Sequence, residues 1–133
     1  MAGDTRPVVL ITGAAGHIGT VLRRTLDRDY EVVGMDRPGS GSDIDADLAS
    51  DDAVKQAFTA FRQRHGTRIA AVVHLAAYFD FTGEESPLYQ SVNVDGTRRL
   101  LRELRDFDVE QFVYASTMLV HAACKPGERI DEG

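Results

Sequence analysis

One stretch of the sequence decides the fold: residues 8–19 run VVLITGAAGHIG. The first four of these residues form a continuous apolar run, which is typical of a parallel strand buried on both faces. The glycines at positions 13, 16 and 19 follow with GxxGxxG spacing, and apolar residues from Ile18 to Leu26 then recur at helical spacing. We therefore predict a strand, a tight glycine turn and a helix that begins inside the turn.

A unit of this kind is suited to binding a pyrophosphate. Glycines allow backbone N–H groups to approach a ligand closely, and the N-terminal end of the helix favours negative charge. A turn that merely needs positive φ is the alternative, but the strand before the glycines and the helix after them favour a phosphate site. The candidate binding residues in this segment are Gly13, Gly16, His17, Ile18 and Gly19.

The rest of the chain repeats the alternation of strand and helix. Strand patterns occupy residues 31–35, 70–75 and 111–115, with helical patterns between them. Strands joined by helices lie parallel, with right-handed crossovers and helices on both faces. We predict an α/β fold with a Rossmann-type doubly wound parallel sheet, in the order 3-2-1-4 and truncated after about four strands. Its last strand, at residues 112–115, would form an exposed apolar edge.

Ligands of such sheets lie beyond the carboxyl ends of the strands, so the residue after the second strand is a candidate. Asp36 stands there, and its carboxylate can accept hydrogen bonds from the hydroxyls of an adenosine ribose and would repel a 2′-phosphate. This indicates NAD and makes NADP the less favoured cofactor. Arg37 complicates the assignment, since a guanidinium can stack on adenine, pair with a phosphate or remain a solvated loop cation.

Further segments fall after the other strands in a recognisable order. They are DADL at 45–48, HLAA at 74–77, NVDGT at 93–97 and FVYAST at 112–117. Together with TGAAGHIG at 12–19 and Asp36, they resemble the extended short-chain dehydrogenase/reductase superfamily, in particular its NAD-dependent epimerase/dehydratase family. The resemblance covers nearly the whole chain.

The resemblance implies roles for residues that line the cofactor. Asp47 would contact the adenine amino group and Leu48 would offer its backbone, although an acid among several others in a loop is equally typical of a solvated face. The segment after the predicted third strand would also line the cofactor, through Leu75, Ala76 and Ala77.

The same resemblance assigns the later motifs. Asn93 would contact the cofactor or, alternatively, tie helix to strand through hydrogen bonds. Ser116 is a further cofactor-binding candidate, and Thr117 aligns with the catalytic hydroxyl that polarises the substrate oxygen during hydride transfer. His74 is interpreted as a core histidine without chemistry.

The chain departs from the family at its proton-transfer pair. That pair is a tyrosine followed four residues later by a lysine, and none of the four tyrosines here has a lysine at that spacing. We therefore expect residues 1–133 to be the N-terminal portion of an NAD-binding Rossmann domain, with the C-terminal substrate-binding region absent.

The resemblance implies an NAD-dependent epimerase/dehydratase or oxidoreductase that acts by hydride transfer on a sugar or nucleotide-sugar-like alcohol or carbonyl. This chain alone is expected only to bind the dinucleotide. The alternatives are a non-catalytic dinucleotide-binding module and a scaffold whose exposed last strand is completed by another chain, and a homo-oligomer stays open as well.

Composition narrows the remaining classes. The 133 residues carry 15 Lys+Arg against 21 Asp+Glu, a net charge of −6, so we expect no binding to nucleic acid. A lone Cys124 forms no intrachain disulfide, and the first apolar run is too short for a signal peptide or a membrane span. We expect a cytoplasmic protein without membrane contact, and no metal site among its scattered histidines.

Overall fold

The computed structural model describes residues 5–132, and a parallel five-stranded sheet in the order β3-β2-β1-β4-β5 forms its centre. The strands are β1 (Val8–Thr12), β2 (Glu31–Asp36), β3 (Ile44–Asp45), β4 (Arg68–His74) and β5 (Asp108–Tyr114). The helices are α1 (His17–Leu26), α2 (Asp51–His65), a π-helix (Tyr89–Val94) and α3 (Asp95–Leu104), and a 3₁₀ turn (Met118–Val120) follows β5.

Strand β1 is central because it is apolar on both faces. Its side chains alternate between two cores, since successive residues of a strand point to opposite faces. Leu10 faces a core that includes Phe61 of α2 and Leu100 of α3, whereas Ile11 faces a smaller core against which Leu22 of α1 packs. Both β1 residues are fully buried. The helices therefore cover both faces, which confirms the predicted Rossmann-type α/β class.

The strand assignment needs one correction. Residues 70–75, predicted as the third strand, belong largely to β4, which pairs with β1 and not with β2. The position beside β2 is taken by β3, through the pairs Met35↔Ile44 and Asp36↔Asp45. The predicted order 3-2-1-4 is therefore found in the sheet as β3-β2-β1-β4, where the third strand is β3 at residues 44–45 and residues 70–75 belong to the fourth strand. A two-residue strand is too short to produce a periodic signal, which is why it was missed.

The helix predictions hold with one change. Ser50 caps α2, because its hydroxyl accepts a hydrogen bond from the Ala53 N–H at 3.2 Å. The predicted third helix is divided instead into the π-helix and α3. Within residues 5–132, no helix has the length and apolar character needed to cross a membrane.

Candidate functional site

A cavity of about 730 Å³ lies at the carboxyl-terminal ends of β1, β2 and β4. This volume falls within the range of small-molecule sites, and the position is where open parallel sheets bind ligands. Nine residues that the sequence analysis singled out line the cavity together: Gly13, Gly16, Asp36, Arg37, Asp47, Leu48, Leu75, Ala76 and Ala77.

The turn after β1 depends on glycine at two close approaches. Gly13 has φ +70°, and a Cβ placed on it would lie 2.8 Å from the backbone nitrogen of Ala76 at the end of β4. A Cβ on Gly19, inside α1, would lie 2.6 Å from the carbonyl oxygen of Gly13. Both glycines therefore let the turn sit tightly between β4 and α1, and the N-terminus of α1 is brought to the cavity.

The end of β2 is tied to this turn by a carboxylate. The Ala15 N–H donates to Asp36 Oδ2 at 2.9 Å, and the Arg37 N–H donates to Asp36 Oδ1 at 2.7 Å. An ionised carboxylate has about four acceptor sites, so it can accept further hydrogen bonds from a ligand. Arg37 is exposed at the same rim.

Asp47 and Leu48 form the side of the cavity next to α2. Asp47 is exposed, and its Oδ1 accepts a hydrogen bond from the Ala49 N–H at 2.9 Å. Leu48 is buried, and its carbonyl oxygen accepts from Arg99 at 2.9 Å. A Cβ on Gly96 would lie 2.9 Å from the Leu48 Cβ, so glycine allows α3 to pack closely behind this wall.

A buried hydrogen-bond network lies beneath the wall at the end of β4. Thr12 Oγ1 is 2.6 Å from His74 Nδ1 and accepts the N–H groups of Leu75 and Ala76, each at 3.2 Å. On the other side, His74 Nε2 is 2.9 Å from Thr97 Oγ1. Burial lowers the pKa of His74 to about 4, so this imidazole is neutral at neutral pH.

The π-helix holds the loop that follows β4. The Asn93 side chain accepts the Tyr78 N–H at 2.7 Å and donates to the Tyr78 carbonyl oxygen at 2.9 Å. The Tyr89 hydroxyl accepts the Asp80 N–H at 3.1 Å. The structure therefore places Asn93 as a tie between helix and loop, and Asn93 does not line the cavity.

The carboxylate of the same loop is stabilised locally. The Thr82 N–H and the Thr82 hydroxyl both donate to Asp80, at 2.9 Å each. Both hydrogen bonds lower the pKa of the Asp80 carboxyl, and the one from the Thr82 N–H has the larger effect. Asp80 is thus ionised at neutral pH, next to the exposed ring of Phe79 at the cavity rim.

The remaining predicted residues lie outside the cavity lining. The side chains of His17 and Ile18 are exposed on the first turn of α1, and Gly19 is buried against the glycine turn. Ser116 and Thr117 are exposed beyond the end of β5, where Thr117 Oγ1 accepts the Leu119 N–H at 3.2 Å. Neither residue lines the cavity, although Ala115 directly before them donates its N–H to the His74 carbonyl oxygen at 3.2 Å.

Several residues of the site were not predicted. Thr12 and Thr97 were quoted within motifs but given no role, although they hold His74 from both sides. Leu88 lines the cavity as well. A hydroxyl directly before the glycine turn was the available signal for Thr12. The others depend on how the loop folds back, which no local pattern indicates.

The arrangement suits an elongated anionic ligand with hydroxyl groups. The unpaired N–H groups at the start of α1 favour a phosphate, and the Asp36 carboxylate can accept from hydroxyls nearby. The Leu75–Ala77 side provides an apolar wall. Among residues 5–132, no three His, Cys, Asp or Glu side chains are grouped so as to hold a metal ion.

Known proteins share both the sequence and this fold. The sequence model of the NAD dependent epimerase/dehydratase family matches residues 9–132. An L-arabinose 1-dehydrogenase (NAD(P)(+)) from Haloferax volcanii is 34% identical over 116 aligned residues, covering 85% of this chain and 42% of that protein. A UDP-glucose 4-epimerase from Erwinia amylovora is 32% identical over 139 aligned positions, covering 89% of this chain and 39% of that protein.

A solved structure extends the similarity to three dimensions. The crystal structure of a 3-alpha-hydroxysteroid dehydrogenase from Pseudomonas sp. B-0831, complexed with NADH, matches with a TM-score of 0.63 and 33% identity. The match covers 74% of this chain and 41% of that one, so the chain spans about 40% of the length of these relatives. The predicted resemblance is confirmed, and NAD agrees with the family as its cofactor: the chain belongs to the NAD dependent epimerase/dehydratase family.

Proposed function

We propose that this chain binds the adenosine diphosphate part of NAD in the cavity at the carboxyl end of the sheet, and that the protein it belongs to transfers hydride to and from that cofactor. One observation supports this most strongly. The glycine turn, Asp36 and the Leu75–Ala77 wall converge on a single cavity of about 730 Å³. The glycine turn would bind a pyrophosphate, Asp36 would bind a ribose, and the Leu75–Ala77 wall would lie against an adjoining ring system.

The pyrophosphate would lie against the N-terminus of α1. Gly16 precedes the helix with an extended backbone, and the following N–H groups of His17 and Ile18 have no acceptor within the helix. Their side chains are exposed, so both residues would act through the main chain. Gly13 and Gly19 would contribute by permitting the close packing that keeps this helix end at the cavity.

The adenosine would lie between β2 and the segment before α2. Asp36 would accept hydrogen bonds from the ribose hydroxyls, and its charge would disfavour the 2′-phosphate of NADP. Arg37 would stack on the adenine, whose amino group would donate to Asp47 beside the backbone of Leu48. Ala76 and Ala77 leave room for the rest of the dinucleotide because their side chains are small.

The reacting end of the site would lie toward the end of β5. Bound NAD supplies a ring carbon that accepts a hydride from the substrate and can return it. Ser116 would approach the cofactor, and the Thr117 hydroxyl would donate to the substrate oxygen and polarise it. No tyrosine of this chain has a lysine four residues later, so the proton transfer is assigned to none of its residues.

The relatives support a proposal for the substrate class. The L-arabinose dehydrogenase and the UDP-glucose epimerase act on a sugar and on a nucleotide sugar, as their names state. We propose a sugar or nucleotide-sugar-like alcohol or carbonyl as the substrate of the whole protein. A non-catalytic dinucleotide-binding module is the second candidate, favoured by the exposed position of Thr117 outside the cavity lining.

Titration calorimetry with NAD, NADP and ADP-ribose tests the binding proposal. NAD and ADP-ribose should bind with similar affinity, and NADP more weakly. Asp36→Asn should weaken NAD binding about tenfold and narrow the gap to NADP, because hydrogen bonds to a charged group are lost and the repulsion of the 2′-phosphate is removed. Asp29→Asn, an equal charge change at an exposed residue between α1 and β2, is the matched control. Preferred binding of NADP, or an unchanged affinity in Asp36→Asn, would contradict the assignment.

A further inference from the structure

Beneath the cavity, an imidazole is held between two hydroxyls. His74, the last residue of β4, is 1% exposed, as is Thr12 at the end of β1. Its Nδ1 lies 2.6 Å from Thr12 Oγ1 and its Nε2 lies 2.9 Å from Thr97 Oγ1 on α3. The partners of these two hydroxyls determine where the imidazole proton resides.

The Thr97 side requires a proton on Nε2. The Thr97 hydroxyl lies 2.7 Å from the backbone carbonyl oxygen of Asn93, which can only accept a hydrogen bond. A hydroxyl has one proton, and that proton is used toward Asn93. Thr97 Oγ1 must therefore accept from His74, so Nε2 is the protonated nitrogen.

The Thr12 side requires a bare Nδ1. Thr12 Oγ1 accepts the N–H groups of Ala76 and of Leu75, the latter shared with the Thr12 carbonyl oxygen, and these donors occupy both of its lone pairs. Its single proton is then directed at His74 Nδ1. The two sides are separate in the chain, yet both require the same neutral tautomer with the proton on Nε2 alone.

Two aromatic rings of β5 also lie near the imidazole. The ring of Tyr114 lies 5.8 Å from it and that of Phe112 lies 6.2 Å away, measured between ring centroids. The imidazole is thus enclosed by two hydroxyls and two aromatic rings. Burial in these surroundings lowers the pKa of His74 to about 4, in agreement with a neutral ring.

We propose that His74 is a positioning residue of the dinucleotide site, whose neutral Nε2–H imidazole orients the Thr12 hydroxyl and thereby fixes the backbone of Leu75 and Ala76 in the cavity wall. This inference rests on the proposed function. A proton on Nδ1 would face Thr12 Oγ1, and the hydroxyl would have to turn and release the N–H of Ala76, since the N–H of Leu75 also has the Thr12 carbonyl oxygen as an acceptor. The wall that meets the ligand would then lose one of its anchors.

Thr97→Val tests the proposal because valine keeps the shape of threonine and removes the acceptor of the Nε2 proton. Only the Thr12 side then keeps the proton on Nε2, where it is buried without an acceptor, so the ¹⁵N NMR shifts of the imidazole should show a population with the proton on Nδ1. The amide hydrogen of Ala76 should exchange about fivefold faster, and the Kd for ADP-ribose should rise about fivefold, as expected for one lost hydrogen bond. The Leu75 amide should change less, because it keeps the Thr12 carbonyl oxygen as an acceptor.

Two variants and the wild type serve as references. Thr97→Ser retains the hydroxyl, and His121→Asn removes an exposed imidazole outside the site. Both should remain within about twofold of the wild-type affinity. In the wild type at neutral pH, the NMR spectrum of the free protein should show the Nε2–H tautomer, a result that does not depend on any variant folding.

The outcomes separate this inference from the proposed function. Wild-type His74 with its proton on Nδ1, or Thr97→Val with wild-type affinity for ADP-ribose, would overturn the positioning role alone. A wild-type chain that fails to bind ADP-ribose would overturn the proposed function, and with it the link between His74 and the ligand.

Discussion

Two regions at the same edge of the sheet differ in how firmly the chain holds them. At the ends of β1, β2 and β4, the glycine turn packs against β4, Asp36 ties β2 to that turn, and Thr12 with His74 anchors the cavity wall. At the end of β5, Met118, Leu119 and Val120 are 77%, 78% and 69% exposed. A preorganised site needs supporting contacts, and this chain supplies them for the adenosine end. Within residues 5–132, the Thr117 hydroxyl has one such contact, the N–H of Leu119 at 3.2 Å.

Alanine substitution at two glycines compares the regions most sharply. Gly13→Ala should cost about 4 kcal/mol of unfolding free energy, since a positive φ is strained for alanine and its Cβ would meet the Ala76 backbone at 2.8 Å. Gly127 also has positive φ, but nothing lies within 4 Å of its Cβ position, so Gly127→Ala should cost about 1 kcal/mol. Denaturant unfolding measures both. Equal costs would show that the close approach at Gly13 contributes nothing.

The second effect is the pH dependence of stability that His74 produces. The pKa of its imidazole is lowered from 6.5 to about 4 by burial, so between these values the unfolded chain binds a proton that the folded chain does not. The contribution of the neutral His74 imidazole to the unfolding free energy is therefore fully present above pH 6.5. It is lost as the pH falls toward 4, by about 3 kcal/mol in total.

Unfolding free energies measured across that window should show the loss, and His74→Gln, which does not titrate there, should flatten the curve. A wild-type protein whose stability stays constant from pH 6.5 to 4 would contradict the buried neutral imidazole.

The smallest effect is expected at the end of β5. Thr117→Val should change the unfolding free energy by less than about 0.5 kcal/mol, because the side chain is exposed. Its affinity for ADP-ribose, measured by calorimetry, should stay within about twofold of the wild type, since ADP-ribose lacks the nicotinamide. A tenfold loss of affinity would place Thr117 within the adenosine site and remove the distinction between the two regions.

Local sequence patterns were enough to predict the region at the ends of β1 and β2. The apolar run of β1 and the glycine spacing after it are set by neighbours in the sequence, and Asp36 follows a strand that its own pattern indicates. Strand β3 was missed because two residues have no period. The hydrogen bonds of His74 join residues 62 and 23 positions apart, and the amide of Asn93 reaches across 15 positions to Tyr78. Such contacts follow from the assembled fold and cannot be derived from spacing.

A map of backbone amide NMR shifts, recorded as ADP-ribose is added to the chain, tests the proposed adenosine site most directly. We expect shifts at the glycine turn and the start of α1, at Asp36 and Arg37, at Asp47 and Leu48, and along Leu75–Ala77, with little change from β5 to Val120. Shifts confined to β5 and the residues after it, or no saturable shifts at all, would contradict the claim that the adenosine end of a dinucleotide site is built within this chain.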